Sequence, residues 1–111
     1  MKILTKLEEH VLLVILKLKD TAYIVSIKNA LEKYLKKDIS FGALYLSLNR
    51  LIREGYLKTE IGEATALQGG RAKKYYRMTR AGALKLQEIH RLQQRMWRCF
   101  DQMSKKFLEN E

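Results

Sequence analysis

Between Phe41 and Gly82 the chain changes hydrophobic period and punctuation in a fixed order, and few folds accommodate that order. Ser40 is placed to cap a helix whose apolar stripe is Phe41, Leu44, Tyr45, Leu48, Leu51 and Ile52, at spacings of three and four. Gly55 stands where a left-handed residue ends such a helix. The period then drops to two: Leu57, Thr59 and Ile61 alternate with Lys58 and Glu60, so that one strand face is apolar. On a return strand, Tyr76 and Met78 are expected inward and Lys73, Tyr75 and Arg77 outward. Residues Glu63–Arg71 between the strands exceed a tight hairpin turn. Thr79 then caps the next helix.

The flanking segments read as helices. Thr5 with Glu8 three positions on forms a capping-box pattern, followed by Leu7, Val11, Leu12, Ile15 and Leu18 at helical spacing. This helix is expected to end near Lys19, with Asp20 and Thr21 supplying the break. Ile24, Ile27, Leu31 and Leu35 mark a second helix with a basic tail of Lys33, Lys36 and Lys37, as suits a helix C-terminus. Beyond Thr79 no proline interrupts a last helix running to about Leu108. Along it, Ile89, Leu92, Met96, Cys99, Phe100, Met103 and Phe107 form a coiled-coil-like seam. A seam of that length at the end of a small domain needs a covering surface, and a second copy supplies one with two-fold symmetry. The chain therefore reads as mainly α with a small β-hairpin: a compact unit over residues 1–80 and a C-terminal dimerisation helix over residues 81–111.

Charge narrows the function classes. Twenty-two Lys and Arg face 12 Asp and Glu, a formal charge of +10. The surplus is +3 in residues 1–40, +5 in residues 41–80 and +2 in residues 81–111, so it peaks on the helix–hairpin segment. Such a balance favours a polyanionic partner. The basic residues are spread over a globular pattern instead of one amphipathic helix, which speaks against a membrane surface. The longest apolar run, Val11–Leu16, is far too short to span a bilayer, and a cytoplasmic location is expected. Cys99 is the single cysteine, so no internal disulfide can form. His10 and His90 are isolated from any ligand cluster, so neither metal nor cofactor is expected. No nucleophile-elbow, phosphate-loop or paired-carboxylate pattern occurs, and enzyme activity is not expected.

A helix followed directly by a basic hairpin suits double-stranded DNA, with the helix in the major groove and the hairpin on flanking phosphates. The expected contacts are Ser40, Gly42, Ala43, Tyr45, Ser47 and Arg50 from the helix, with Arg50 able to bond a guanine edge. Arg71, Lys73 and Lys74 of the hairpin are expected to neutralise phosphates. For Tyr45 a half-buried structural role competes with a phosphate contact. Met96, Trp97 and Phe100 read either as dimer core or as an effector pocket, in which the Trp97 indole would stack on a flat ligand.

Several blocks carry a family resemblance. They are Gly42-Ala43-Leu44-Tyr45-Leu46-Ser47-Leu48-Asn49-Arg50-Leu51, then Glu54-Gly55, then Gly62-Glu63-Ala64-Thr65, then Gly69-Gly70-Arg71-Ala72-Lys73-Lys74-Tyr75-Tyr76-Arg77-Met78-Thr79-Arg80-Ala81-Gly82. In order and spacing they closely resemble the PadR family of bacterial transcriptional regulators. The resemblance implies a winged helix-turn-helix domain, a C-terminal dimerisation helix and repression of a nearby operon. It also implies release of DNA on binding a small aromatic or cationic effector. The sequence departs from the commoner pattern at Leu46 and Ala66, where prolines are frequent, at Ile61 in place of a tryptophan, and at Val25-Ser26 in place of a glycine. The resulting expectation is a homodimeric repressor that binds one duplex sequence. The alternative is a winged-helix protein-interaction module with its basic face on an acidic partner, and preference for one duplex over a scrambled one separates the two.

Overall fold

The computed structural model describes residues 3–62 and 72–109. The elements run α1 (Lys6–Leu18), a single 3-10 turn (Lys19–Thr21), α2 (Ile24–Leu35), α3 (Phe41–Arg53), β1 (Leu57–Ile61), β2 (Lys74–Met78) and α4 (Arg80–Glu109). Among the described residues this is the expected architecture: mainly helical, with one antiparallel hairpin and a long last helix.

The helix ends follow from local chemistry. The Glu8 amide donates to Thr5 Oγ1 at 3.1 Å and the Thr5 amide to Glu8 Oε1 at 2.7 Å, closing the capping box of α1. Ser40 Oγ accepts from the Ala43 amide at 3.1 Å at the start of α3. Gly55, at φ +83°, ends that helix in the region where a side chain is disfavoured. The end of α2 uses Lys36 instead, a non-glycine residue at φ 53° whose amide bonds the Glu32 carbonyl.

Val11, Leu12 and Ile15 of α1, Ile27 and Leu31 of α2, and Leu44, Leu48 and Leu51 of α3 form the buried core with Leu57 and Tyr76 of the hairpin. β1 and β2 pair in the register Leu57↔Met78, Thr59↔Tyr76 and Ile61↔Lys74. A short bridge adds the segment before α2 to the hairpin: Tyr23 pairs with Tyr75, and the Tyr76 amide donates to the Ala22 carbonyl at 2.8 Å. The inward face of β1 is shorter than its alternation predicts. Leu57 is buried, but Thr59 is exposed and Ile61 is 70% exposed, because the strand runs out beyond the three helices.

α4 starts on the core and leaves it. Thr79 caps it through the Gly82 amide at 3.1 Å and donates to the Gly55 carbonyl at 2.6 Å, tying the helix start to the end of α3. A Cβ on Gly82 would strike the Tyr56 carbonyl oxygen and lie 2.9 Å from Met78 Cγ, so this crossing needs a glycine. Leu86 and Ile89 pack on the core, and Gln93 Nε2 donates to Glu9 Oε1 of α1 at 3.0 Å. At 30 residues the helix is about 45 Å long, and its second half carries the molecule to 62 Å in its longest dimension.

Candidate nucleic-acid interface

α2 and α3 are joined by a turn that a single carboxylate organises. Glu32 accepts from Lys28 Nζ at 2.8 Å and from the Ile39 amide at 2.9 Å, while Ile39 itself is buried. Lys28, then the Ile39 amide, hold the Glu32 carboxyl below its ordinary pKa. Lys28 Nζ also stands 5.2 Å from the centre of the Phe41 ring, the first residue of α3. One lysine and one glutamate thus set the entry angle of α3.

The core claims Leu44, Leu48 and Leu51 of α3. The opposite side carries Gly42, Leu46, Asn49 and Arg53, all exposed. At 3.6 residues per turn these four lie within an arc of about 60°, in one row along the helix. Leu46 is 74% exposed, and a side chain at Gly42 would meet nothing within 4 Å.

This rotation corrects the expected contact set. Arg50 does not face outward. Its guanidinium is ion-paired to the Glu8 carboxylate, and Nη2 donates to the Ile3 carbonyl at 3.4 Å. Arg50 therefore fastens α3 to α1, because the buried Glu8 carboxylate needs a cation and Arg50 lies on the flank nearest to it. Ser47, also expected in the groove, is only 8% exposed. Phe41 and Tyr45, read as part of the core stripe, are instead half exposed on the other flank. Of the expected helix contacts, Ser40, Gly42 and Tyr45 are exposed and Ala43 is partly so. Asn49 and Arg53, exposed on that side, were not among them: Ile52 packs on the core as expected, but assigning Phe41 and Tyr45 to the core stripe turned the apparent outward face by most of a quarter turn.

On the hairpin, Arg71 lies outside the described residues, as do Gly69 and Gly70. Lys73 and Lys74 are described. Lys74 is exposed, whereas Lys73 Nζ folds back to 4.2 Å from the centre of the Tyr23 ring. Arg77 is committed internally: Nε donates to Glu60 Oε2 at 2.7 Å and Nη1 to Asp20 Oδ1 at 2.6 Å. Asp20, then Glu60, raise its pKa further above an already high value. This fork links the turn after α1 to both strands and braces the hairpin. Burial raises the pKa of the Tyr76 phenol, with Tyr45 of α3 as the second cause.

The second surface is on α4. Leu92, Met96, Cys99, Phe100, Met103 and Phe107 of the expected seam are all exposed, whereas Ile89 is half-buried against the protein's own core. Trp97, 58% exposed, flanks the row and meets Phe100 edge-to-face with ring centres 5.4 Å apart. Beside it is an open groove lined by His90, Gln93, Gln94, Arg98 and Asp101. No helix among the described residues is long and apolar enough to cross a membrane.

The model of the transcriptional regulator PadR-like family matches residues 11–88, which run from within α1 to the first turns of α4. The chain belongs to the PadR-like family of transcriptional regulators. A PadR-like transcription factor from Bacteroides fragilis is 27% identical with a TM-score of 0.73, over 87% of this chain and 88% of that one. A PadR-like transcriptional regulator from Bacillus cereus is 25% identical with a TM-score of 0.68, over 95% and 93%. A PadR family transcriptional regulator from Eggerthella lenta is 27% identical with a TM-score of 0.60, over 91% and 82%. No individually curated protein matches the sequence. The PadR-like fold makes the unit built by α1, α2, α3 and the hairpin a winged helix, and this PadR-like protein is a DNA-binding regulator.

Proposed function

We propose that this PadR-like regulator acts as a homodimeric, cytoplasmic repressor that binds a pseudo-palindromic operator. The observation that carries the reading is the uncovered apolar row of α4, from Leu92 to Phe107, projecting beyond the winged helix. A row at coiled-coil spacing is stable in water only when covered, and an identical helix covers it with self-complementary contacts. Two copies joined in this way present two α3 helices. Half-sites about one helical turn apart match that symmetry. Lys73, Lys74 and Arg71 supply cations for the flanking phosphates.

Trp97 and Phe100 support an effector role for the same region. An exposed indole beside a polar groove is a stacking surface for a flat aromatic or cationic compound. A ligand lodged there favours one separation of the two α3 helices over another, and only the separation that matches the operator binds tightly.

The test is fluorescence anisotropy on duplexes tiled across the protein's own upstream region, with scrambled competitor, combined with sedimentation of the complex. Two protomers on one tile that resists competitor are the expected result, with reduced transcription from the bound promoter. Weak binding to every tile that salt abolishes would refute the reading and leave the basic face to an acidic protein partner.

A further inference from the structure

The outward row of α3 has a chemical pattern of its own. From the N-terminal end it presents an open backbone at Gly42, an apolar side chain at Leu46, an amide at Asn49 and a guanidinium at Arg53. Among the described residues, neither Asn49 nor Arg53 makes a side-chain hydrogen bond or ion pair, whereas Arg50 beside them is committed to Glu8. The one arginine otherwise suited to a guanine edge at the middle of the helix is therefore withdrawn from the row.

We propose that Leu46 and Asn49 read A·T pairs in the major groove: Asn49 bonds the N6 and N7 edge of an adenine, and Leu46 packs on a thymine C5-methyl group. This rests on the operator-binding reading above. Each base pair shows a distinct major-groove pattern, and the side-chain amide of asparagine matches the donor and acceptor of adenine. The thymine methyl is the one apolar group on that edge, and an exposed leucine is its natural complement. Three helical residues rise about 4.5 Å, close to the roughly 3.4 Å step between stacked bases, so the two side chains address the same or neighbouring pairs. Gly42 places no side chain between the helix and the groove floor, which lets the row approach closely. Arg53, at the far end of the row, is placed for backbone phosphate.

The experiment starts with the full-length protein and a pool of random duplexes, from which the preferred site is selected. In that site each thymine is replaced by deoxyuridine, which removes only the methyl, and each adenine by 7-deazaadenine, which removes only the N7 acceptor. At one thymine per half-site the replacement is expected to weaken binding roughly three- to fivefold, the contribution of about one buried methyl. Leu46→Ala should bind the two duplexes equally. At a neighbouring adenine the loss should be roughly tenfold, and Asn49→Ala should be indifferent to it. Both variants alter exposed side chains, and unchanged thermal unfolding confirms that they fold. A selected site whose affinity ignores every such replacement, or whose losses persist unchanged in Leu46→Ala and Asn49→Ala, overturns the assignment while leaving operator binding intact. Failure to select any preferred duplex overturns both.

Discussion

Replacing Arg50 with alanine separates a structural arginine from a base-reading one. In the structure Arg50 neutralises Glu8, whose side chain is 3% exposed while that of Arg50 is 26% exposed. Removing one partner of a fully buried pair costs about 3–5 kcal/mol, and an exposed pair contributes about 0–1 kcal/mol. Here the carboxylate is buried, the guanidinium is partly wetted, and Glu8 keeps the Thr5 amide as a donor. The expected loss is therefore intermediate, about 2 kcal/mol. For a chain of 111 residues, at about 4 °C per kcal/mol, the melting temperature should fall by roughly 8 °C. The assay is thermal unfolding of wild type, Arg50→Ala, Glu8→Gln and the double variant at one protein concentration, since assembly shifts apparent stability. Glu8→Gln keeps an acceptor for the Thr5 amide but removes the charge. In that background Arg50→Ala should cost only about 0.5 kcal/mol, leaving a coupling energy of about 1.5 kcal/mol. Folded Arg50→Ala at low temperature should keep the base preference of the wild type. An unchanged melting temperature together with relaxed preference at one operator position would refute the argument and return Arg50 to the groove.

Gly82→Ala should destabilise the fold by about 1–3 kcal/mol in chemical denaturation, because the new methyl must push α4 off the Tyr56 carbonyl. The depressed pKa of Glu32 makes its contribution to stability complete at neutral pH and lost as pH falls through the ordinary carboxylate range to the lower folded value. Between pH 6 and 3, roughly the range where carboxylates titrate, wild type should therefore lose more melting temperature than Glu32→Gln, and parallel curves would show that the Lys28–Glu32–Ile39 clamp is not formed. Met96→Glu places a carboxylate in the middle of the α4 row and should convert a sedimenting dimer to a monomer at micromolar concentration. An unchanged sedimentation profile would place the dimer contact elsewhere.

Local chemistry was legible in the sequence wherever it is local. The capping box of Thr5 and Glu8, the caps Ser40 and Thr79, and the left-handed Gly55 involve residues within a few positions of one another, and all form as expected. The α4 row was legible because its spacing stays regular over five turns. The rotation of α3 was not. Half-exposed aromatic residues at Phe41 and Tyr45 flank the true stripe of Leu44, Leu48 and Leu51, and a pattern so wide can be centred in more than one way. Ile61 misled for a related reason: alternation marks one face of a strand without indicating how far along it the core extends.

Composition, period and punctuation by themselves determined the element order, the helix ends, the concentration of basic charge on the helix–hairpin segment and the apolar row of the last helix. They could do so because each depends on residues close in the chain or on a repeating interval. Only the tertiary structure decided which face of α3 is free. The core's hold on Leu44, Leu48 and Leu51 leaves Asn49 and Arg53 on the open side, and the buried Glu8, 42 positions before Arg50, draws that arginine inward. A buried carboxylate must have its cation wherever the chain brings one close, and no periodicity records which cation that will be.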